Sequence, residues 1–230
     1  MSAEQPFKIS VTDDELALLK RKLEDTRLPD EVNGAKWDYG VPLADIRRLT
    51  SRWKEGYDWR THEHKLNTLP MFTRTIAVDG FGGLSVHYVH QRSIVEGAIP
   101  LLFVHGCTSY PISTSVSLTS RTGPGSFLEV TKILPLLTAA SADNPSFHVV
   151  AISLPGYAWS EGVLEKGFQA KNYAEVSLTW LRDSLHSLKS CACPTQLFNK
   201  LMISLGYSEY VTQGGDWGHV VSALFIALIL

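Results

Sequence analysis

The string Gly214-Gly215-Asp216-Trp217-Gly218 has the form small-x-nucleophile-x-small. Where a strand turns sharply into a helix, a nucleophile can be held at an exposed, strained position, and small neighbours let the two elements approach closely. The flanks suit that turn. Glu209-Tyr210-Val211-Thr212-Gln213 has the aromatic and β-branched content of a strand, and His219 to Leu230 has the apolar content of a buried helix. A carboxylate in such an elbow attacks an electrophilic carbon and forms an alkyl ester that water must then cleave. His219 follows Asp216 by only three residues. A general base normally arrives from a distant loop, so His219 is assigned as a polar position of the elbow helix.

Other polar groupings carry less chemistry. A zinc-binding helix needs histidines at i and i+4, whereas His62 and His64 stand at i and i+2 and point to different faces. Surface histidines and no metal site are expected there. Cys107, Cys191 and Cys193 have no metal-ligand spacing, and an odd count without a secretory signal predicts free thiols.

The elements that must position Asp216 can be followed from the start. Thr12-Asp13-Asp14-Glu15 is a capping box that opens a helix carrying Leu16, Leu19 and Leu23, which stops before Leu28-Pro29. A second helix is predicted from Pro42, with Ile46, Leu49 and Trp53 on one face, and a third over Trp59 to Leu66. These stripes are expected to bury against later parts of the chain. From about Phe72 the period changes to that of strands. Thr73 to Val78 and Leu84 to His90 alternate around a turn at Asp79-Gly80 and Gly82-Gly83. Leu101-Leu102-Phe103-Val104 and Phe147 to Ile152 are unbroken apolar runs, as expected of strands buried on both faces of a parallel sheet. Together with the strand before Asp216 they make five, interleaved with helical segments at Phe127 to Leu137 and from Tyr173 onward. The fold class is α/β. Residues 1–72 form an N-terminal helical domain in this division, and residues 73–230 the α/β part.

Composition bounds the function. The 230 residues carry a formal charge of -2 with both signs spread along the chain, so neither nucleic acid nor an anionic membrane is an expected partner. A small apolar substrate is expected instead. No signal peptide and no run of eighteen apolar residues is visible, which predicts a cytoplasmic or peripherally membrane-associated chain.

Four motifs occur in a telling order: His105-Gly106, Pro124-Gly125-Ser126-Phe127, Leu154-Pro155-Gly156-Tyr157 and Gly214-Gly215-Asp216-Trp217-Gly218. In that order they resemble the epoxide hydrolases of the α/β-hydrolase superfamily. The lead-in with Trp59 and Leu66-Asn67-Thr68-Leu69-Pro70 is similar to the N-terminal domain of the microsomal and juvenile-hormone branch. Haloalkane dehalogenases share the aspartate elbow without that lead-in, and are the alternative enzyme class. The resemblance implies an α/β-hydrolase core behind an N-terminal helical domain. It also implies hydrolysis of a small apolar epoxide to a vicinal diol without metal or organic cofactor. Asp216 would be the nucleophile, and the backbone N–H groups of Trp217 and Cys107 the oxyanion hole. His105, Gly106, Pro124, Gly214, Gly215 and Gly218 would be structural, His105 through its backbone. A later histidine with a carboxylate partner would activate water, and two cap tyrosines would bind the epoxide oxygen.

Two stretches depart from the family pattern. Residues 107–123 intervene where the family places one aromatic residue. Nine of the sixteen residues from Cys107 to Thr122 are Ser or Thr, and the stretch has neither helical nor strand period. Residues 177–197 interrupt a helix in the same way. The sequence also stops at Leu230, before the cap, the acid and the base. These features predict an incomplete or mis-spliced form of an epoxide hydrolase, inactive or stalled at the ester. The alternative is a noncatalytic fragment that pairs with a full-length paralogue. An uncapped strand edge and the apolar run Ala223 to Leu230 predict self-association or aggregation.

Overall fold

The computed structural model describes residues 3–106, 125–166 and 197–216, together with Gly218 and Ser222. The chain divides into two compact units, one of Lys8–Leu69 and one of Met1–Phe7 with Pro70–Leu230.

The first unit holds α1 (Asp13–Glu24), α2 (Leu43–Glu55) and α3 (Trp59–Leu66). The capping box forms as predicted. Glu15 N donates to Thr12 Oγ1 at 3.2 Å, and Thr12 N donates to the Glu15 carboxylate at 2.8 Å. Pro42 precedes α2, and the Leu43 N–H finds an acceptor in Glu31 at 2.7 Å. Asp58 caps α3 by accepting from Arg60 N at 3.0 Å. The expected burial of the helical stripes is only partial. Leu16, Leu19 and Leu23 are half-buried, while Leu49 and Trp53 remain 52% and 50% exposed. At His62-Glu63-His64 the organising residue is the middle one. Glu63 accepts from Val11 N at 2.7 Å and Trp59 Nε1 at 3.2 Å and pairs with Arg60 at 2.7 Å, while His62 stacks on Tyr57.

The second unit is built on six strands: β1 (Gln5–Pro6), β2 (Met71–Val78), β3 (Gly82–Gln91), β4 (Ile99–Gly106), β5 (Phe147–Ile152) and β6 (Val211–Asp216). Their order in the sheet is β1-β2-β3-β5-β4-β6. β2 and β3 form the predicted hairpin, with Gly80 at φ 81° and Gly82 at φ 75°, conformations that a Cβ disfavours. β3 runs antiparallel to β5, whereas β5, β4 and β6 are mutually parallel along the β5–β4 and β4–β6 pairings. One face buries Ile76, Val86, Tyr88, Leu102, Val104, Val150 and Ile152 against Leu197, Phe198, Leu201 and Met202 of α5 (Leu197–Ser204). Each such side chain contributes about 1.5–3 kcal/mol on burial.

Three elements differ from expectation. The helix predicted over Phe127 to Leu137 is split into a 3-10 turn (Phe127–Val130) and a short α4 (Leu134–Thr138). Pro135 sits in the first turn of α4, where its missing N–H is tolerated, and it could not lie in the interior of one continuous helix. β6 begins two residues later than predicted and runs on to Asp216, because its pairing with β4 starts at Leu101 and Val211. β1 is an addition. Its Pro6 lacks an N–H, as an edge strand permits, and the two residues show no alternation to reveal them. The segment from Tyr173 and the stretch 107–123 lie outside the described residues, as does 177–196; Leu197 opens α5.

Candidate active site

Parallel strands place their carboxyl ends along one edge, so Gly106, Ile152 and Asp216 end on the same side of the sheet. The chain passes from β4 to its neighbour β5, then crosses back to β6 on the other side of β4. Such a reversal is a topological switch point, and α/β sheets open a crevice outside the carboxyl ends of the strands there. The strands that flank the switch are β4 and β6.

Register locates the elbow within it. Val104 pairs with Gly214, His105 with Gly215 and Gly106 with Asp216. Gly218 and Ser222 have helical backbone, as expected for the element after the elbow. A Cβ on Gly218 would overlap the Val104 carbonyl and stand 3.1 Å from the Val104 Cβ, so the turn past Asp216 is pressed directly onto β4. Only the smallest residue fits there. A Cβ on Gly215 would overlap the His105 ring and lie 2.6 Å from Nε2. Gly125 meets the opposite, Nδ1–Cε1 edge of the same ring, so the chain resumes after 107–124 beside His105. The side chain of Asp216, and Cys107, Pro124, Trp217 and His219, lie outside the described residues, as do Cys191 and Cys193.

The loop after β5 is stitched to β3. Ser153 N donates to the His87 carbonyl at 2.9 Å, His87 N donates to Ser160 Oγ at 2.8 Å, and Ser160 Oγ donates to the Ser153 carbonyl at 2.8 Å. Glu161 N donates to the Ser85 carbonyl at 2.8 Å, and Ser85 N to the Glu161 carboxylate at 2.9 Å. Within this frame Leu154-Pro155-Gly156 turns with Gly156 at φ 81°. The His87 ring is fully buried. Its Nδ1 lies 2.9 Å from Ser153 Oγ, and Phe7, Phe127 and Trp159 meet it with centroids at 5.1, 5.0 and 5.5 Å. Burial pushes its pKa down to about 4. His87 was not among the residues singled out from sequence. A histidine inside the alternating run Leu84 to His90 is the only local sign of it.

Further along β3, His90 lies 3.4 Å from Glu4 and 3.0 Å from the Tyr207 hydroxyl, while Tyr88 donates to Glu4 at 2.8 Å. This cluster ties the N-terminal residues to the sheet. Among the described residues no three His, Cys, Asp or Glu side chains are grouped to hold a metal ion. No helix among them is long and apolar enough to cross a membrane.

The family model described as "Epoxide hydrolase N terminus" matches residues 4–114. A putative epoxide hydrolase from Stigmatella aurantiaca is 35% identical over 217 residues, 93% of this chain and 40% of that protein. Among solved structures, the juvenile hormone epoxide hydrolase of the silkworm Bombyx mori superposes with a TM-score of 0.73 at 26% identity, over 99% of this chain and 45% of that one. The chain belongs to the epoxide hydrolase family. Two further members agree with the α/β-hydrolase fold assignment and the branch. Juvenile hormone epoxide hydrolase 2 of Ctenocephalides felis is 32% identical over 225 residues, 96% of this chain and 39% of that protein. The Aspergillus niger epoxide hydrolase structure gives a TM-score of 0.71 at 28% identity, covering 97% of this chain and 49% of that one. The chain thus spans about two fifths of the length of the curated relatives it matches.

Proposed function

We propose that Asp216 is the nucleophile of an epoxide-opening reaction. A carboxylate oxygen forms a bond to an epoxide carbon as the carbon–oxygen bond of the ring breaks, and the released alkoxide takes up a proton. Water then attacks the ester carbonyl, and the departing alcohol and regenerated carboxylate complete formation of a vicinal diol. The backbone N–H groups of Trp217 and Cys107 follow directly on the paired residues Asp216 and Gly106, and serve as oxyanion donors for the second step. The observation that carries this reading is the contact of Gly218 with the Val104 carbonyl beside the Gly106–Asp216 pair. It supplies the steric reason for an elbow at the switch point of the sheet.

Relatives named as epoxide hydrolases support an epoxide as the substrate, and a small apolar one is the class proposed for this chain. The division of the chain at residues 72 and 73 belongs to the same reading, as does the view of 107–123 and 177–197 as inserted stretches. Support for the first insertion is that Gly125 packs against the ring of His105, so its two ends stand close together.

The test is the intact mass of the 230-residue chain after incubation with styrene oxide, beside Asp216→Ala. Ring opening adds one epoxide mass to the parent chain and none to the variant. Labelling of both, or of neither folded protein, overturns the assignment. Release of the label with time reports ester hydrolysis separately, so nucleophilic attack and turnover are distinguished in one experiment.

A further inference from the structure

The His105 imidazole fills space left by two glycines. A methyl group on Gly125 would overlap the ring at Nδ1 and Cε1, and one on Gly215 would overlap it at Cδ2. The ring is therefore sandwiched between the segment that leads into the 3-10 turn and the residue immediately before Asp216. An elbow requires small residues two positions before and two positions after the nucleophile, which accounts for Gly214 and Gly218. It places no such demand one position before. The glycine at 215 has its own cause, the ring that occupies its Cβ position.

The ring is itself steered. The His105 side chain is 19% exposed, and its buried Nδ1 makes no hydrogen bond among the described residues. Glu129 Oε1 stands 3.6 Å from that atom. Glu129 is carried on the 3-10 turn, which Ser126 caps by accepting from Leu128 N at 3.2 Å and which buried Phe127 and Val130 anchor. A physical chain of contacts thus runs from the core through Glu129 and His105 to Gly215, one peptide from Asp216.

We propose that His105, oriented by Glu129, is a spacer that sets the position of the Asp216 backbone for attack on the epoxide. This rests on the assignment of Asp216 as nucleophile. His105 is a positioning residue in this account, and no proton needs to pass through it. A methyl group on Gly215 competes with the ring for one space and displaces the peptide before Asp216, and loss of the ring removes the packing that holds Gly215 and Gly125 in place. Displacement of a reacting group by about 1 Å costs on the order of 10²-fold in rate.

The experiment measures the rate of Asp216 labelling by styrene oxide, and urea unfolding, for the full 230-residue chain. The variants are His105→Ala, Gly215→Ala, the double substitution and Glu129→Gln. Each of the first two is expected to label on the order of 10²-fold more slowly than the parent. The double variant is expected to regain at least about tenfold over Gly215→Ala, and to resist more urea, because removal of the ring makes room for the methyl group. Glu129→Gln, which keeps the shape and loses the charge, is expected to slow labelling only a few-fold. Proton transfer through the ring makes the opposite forecast, a double variant no faster than either single one. A His105→Ala chain that labels at the parent rate overturns the spacer, as does a double variant no faster and no more stable than Gly215→Ala. Should Gly215→Ala fail to fold, folding of the double variant supports the spacer; if neither folds, the rate of His105→Ala decides. If the parent itself is not labelled, the nucleophile assignment fails, and the urea comparison alone decides whether ring and methyl compete for one space.

Discussion

Glu63 in the helical unit and His87 in the sheet unit are both ionisable side chains turned inward, and each is kept there by a different balance. Glu63 remains a carboxylate because donors surround it. The Val11 N–H, the Arg60 guanidinium and the Trp59 indole all hold its pKa below the ordinary 4.5. His87 has one hydrogen-bond partner for its ring, Ser153, and three aromatic rings around it. Its Nε2 is unpartnered among the described residues. A second proton would have no acceptor there, so the ring is neutral. One site spends its neighbours on stabilising a charge, and the other excludes one. The two units should therefore fail at different pH values.

The largest expected effect is on the sheet unit. Free histidine titrates near 6.5, and His87 in the folded chain near 4. As the pH falls below about 6.5, the unfolded chain takes up the proton first, so stabilisation present above that value is lost as the pH falls through 4. The shift corresponds to about 3 kcal/mol. Urea unfolding between pH 7 and 4 should show this loss, and His87→Gln should flatten the slope whatever its effect at neutral pH. His90 and His148 are pushed in the same direction by burial, so some slope should survive the substitution. Equal stability of the parent chain at both pH values would remove the contrast between the units.

Next in size is Ser160→Ala. The hydroxyl accepts from His87 N and donates to the Ser153 carbonyl, so its loss strands two buried backbone groups beside the loop that carries Leu154-Pro155-Gly156. The expected cost is about 1–3 kcal/mol. Labelling of Asp216 by styrene oxide should slow as well if that loop borders the site. Thermal unfolding and labelling measured together separate the two effects; a variant as stable as the parent would show that the stitch is not needed.

The parts of this architecture that sequence revealed are those whose causes are local. The capping box at Thr12 and the hairpin glycines each follow from sterics within a few residues, and the small residues around Asp216 are visible as a short motif even though what Gly218 meets, Val104, lies on another strand. The resemblance that carried the family assignment was likewise a matter of four short motifs in order. His87 was missed because its environment depends on the register of β3 against β5 and on where Phe7, Phe127 and Trp159 are carried by other elements. Gly215 was explained only when pairing with β4 brought His105 opposite it. The break at Pro135 is a different case, since the residue was in plain view and its apolar surroundings suggested one helix. β1 depends wholly on a partner strand some seventy residues away.

The smallest effect belongs to Glu63→Gln, which tests the helical side of the comparison. Gln keeps an oxygen for the Val11 and Trp59 donors and gives up the charge facing Arg60. At neutral pH the change should be modest, because Arg60 also pairs with Asp13 and donates to the Val11 carbonyl at 2.7 Å. The sign of the pH dependence is the sharper readout. A carboxylate whose folded pKa is depressed stabilises the fold above its unfolded value of 4.5, and this contribution is lost as the pH falls through the lower folded value. In the parent chain, loss of the helical unit should therefore lie below about 4.5, under the window in which His87 acts on the sheet. Far-UV circular dichroism between pH 6 and 2 should show helix lost at the acid end, with a shallower acid transition in Glu63→Gln. A helical loss already complete at pH 5 in the parent chain would mean that a group other than this carboxylate governs the unit.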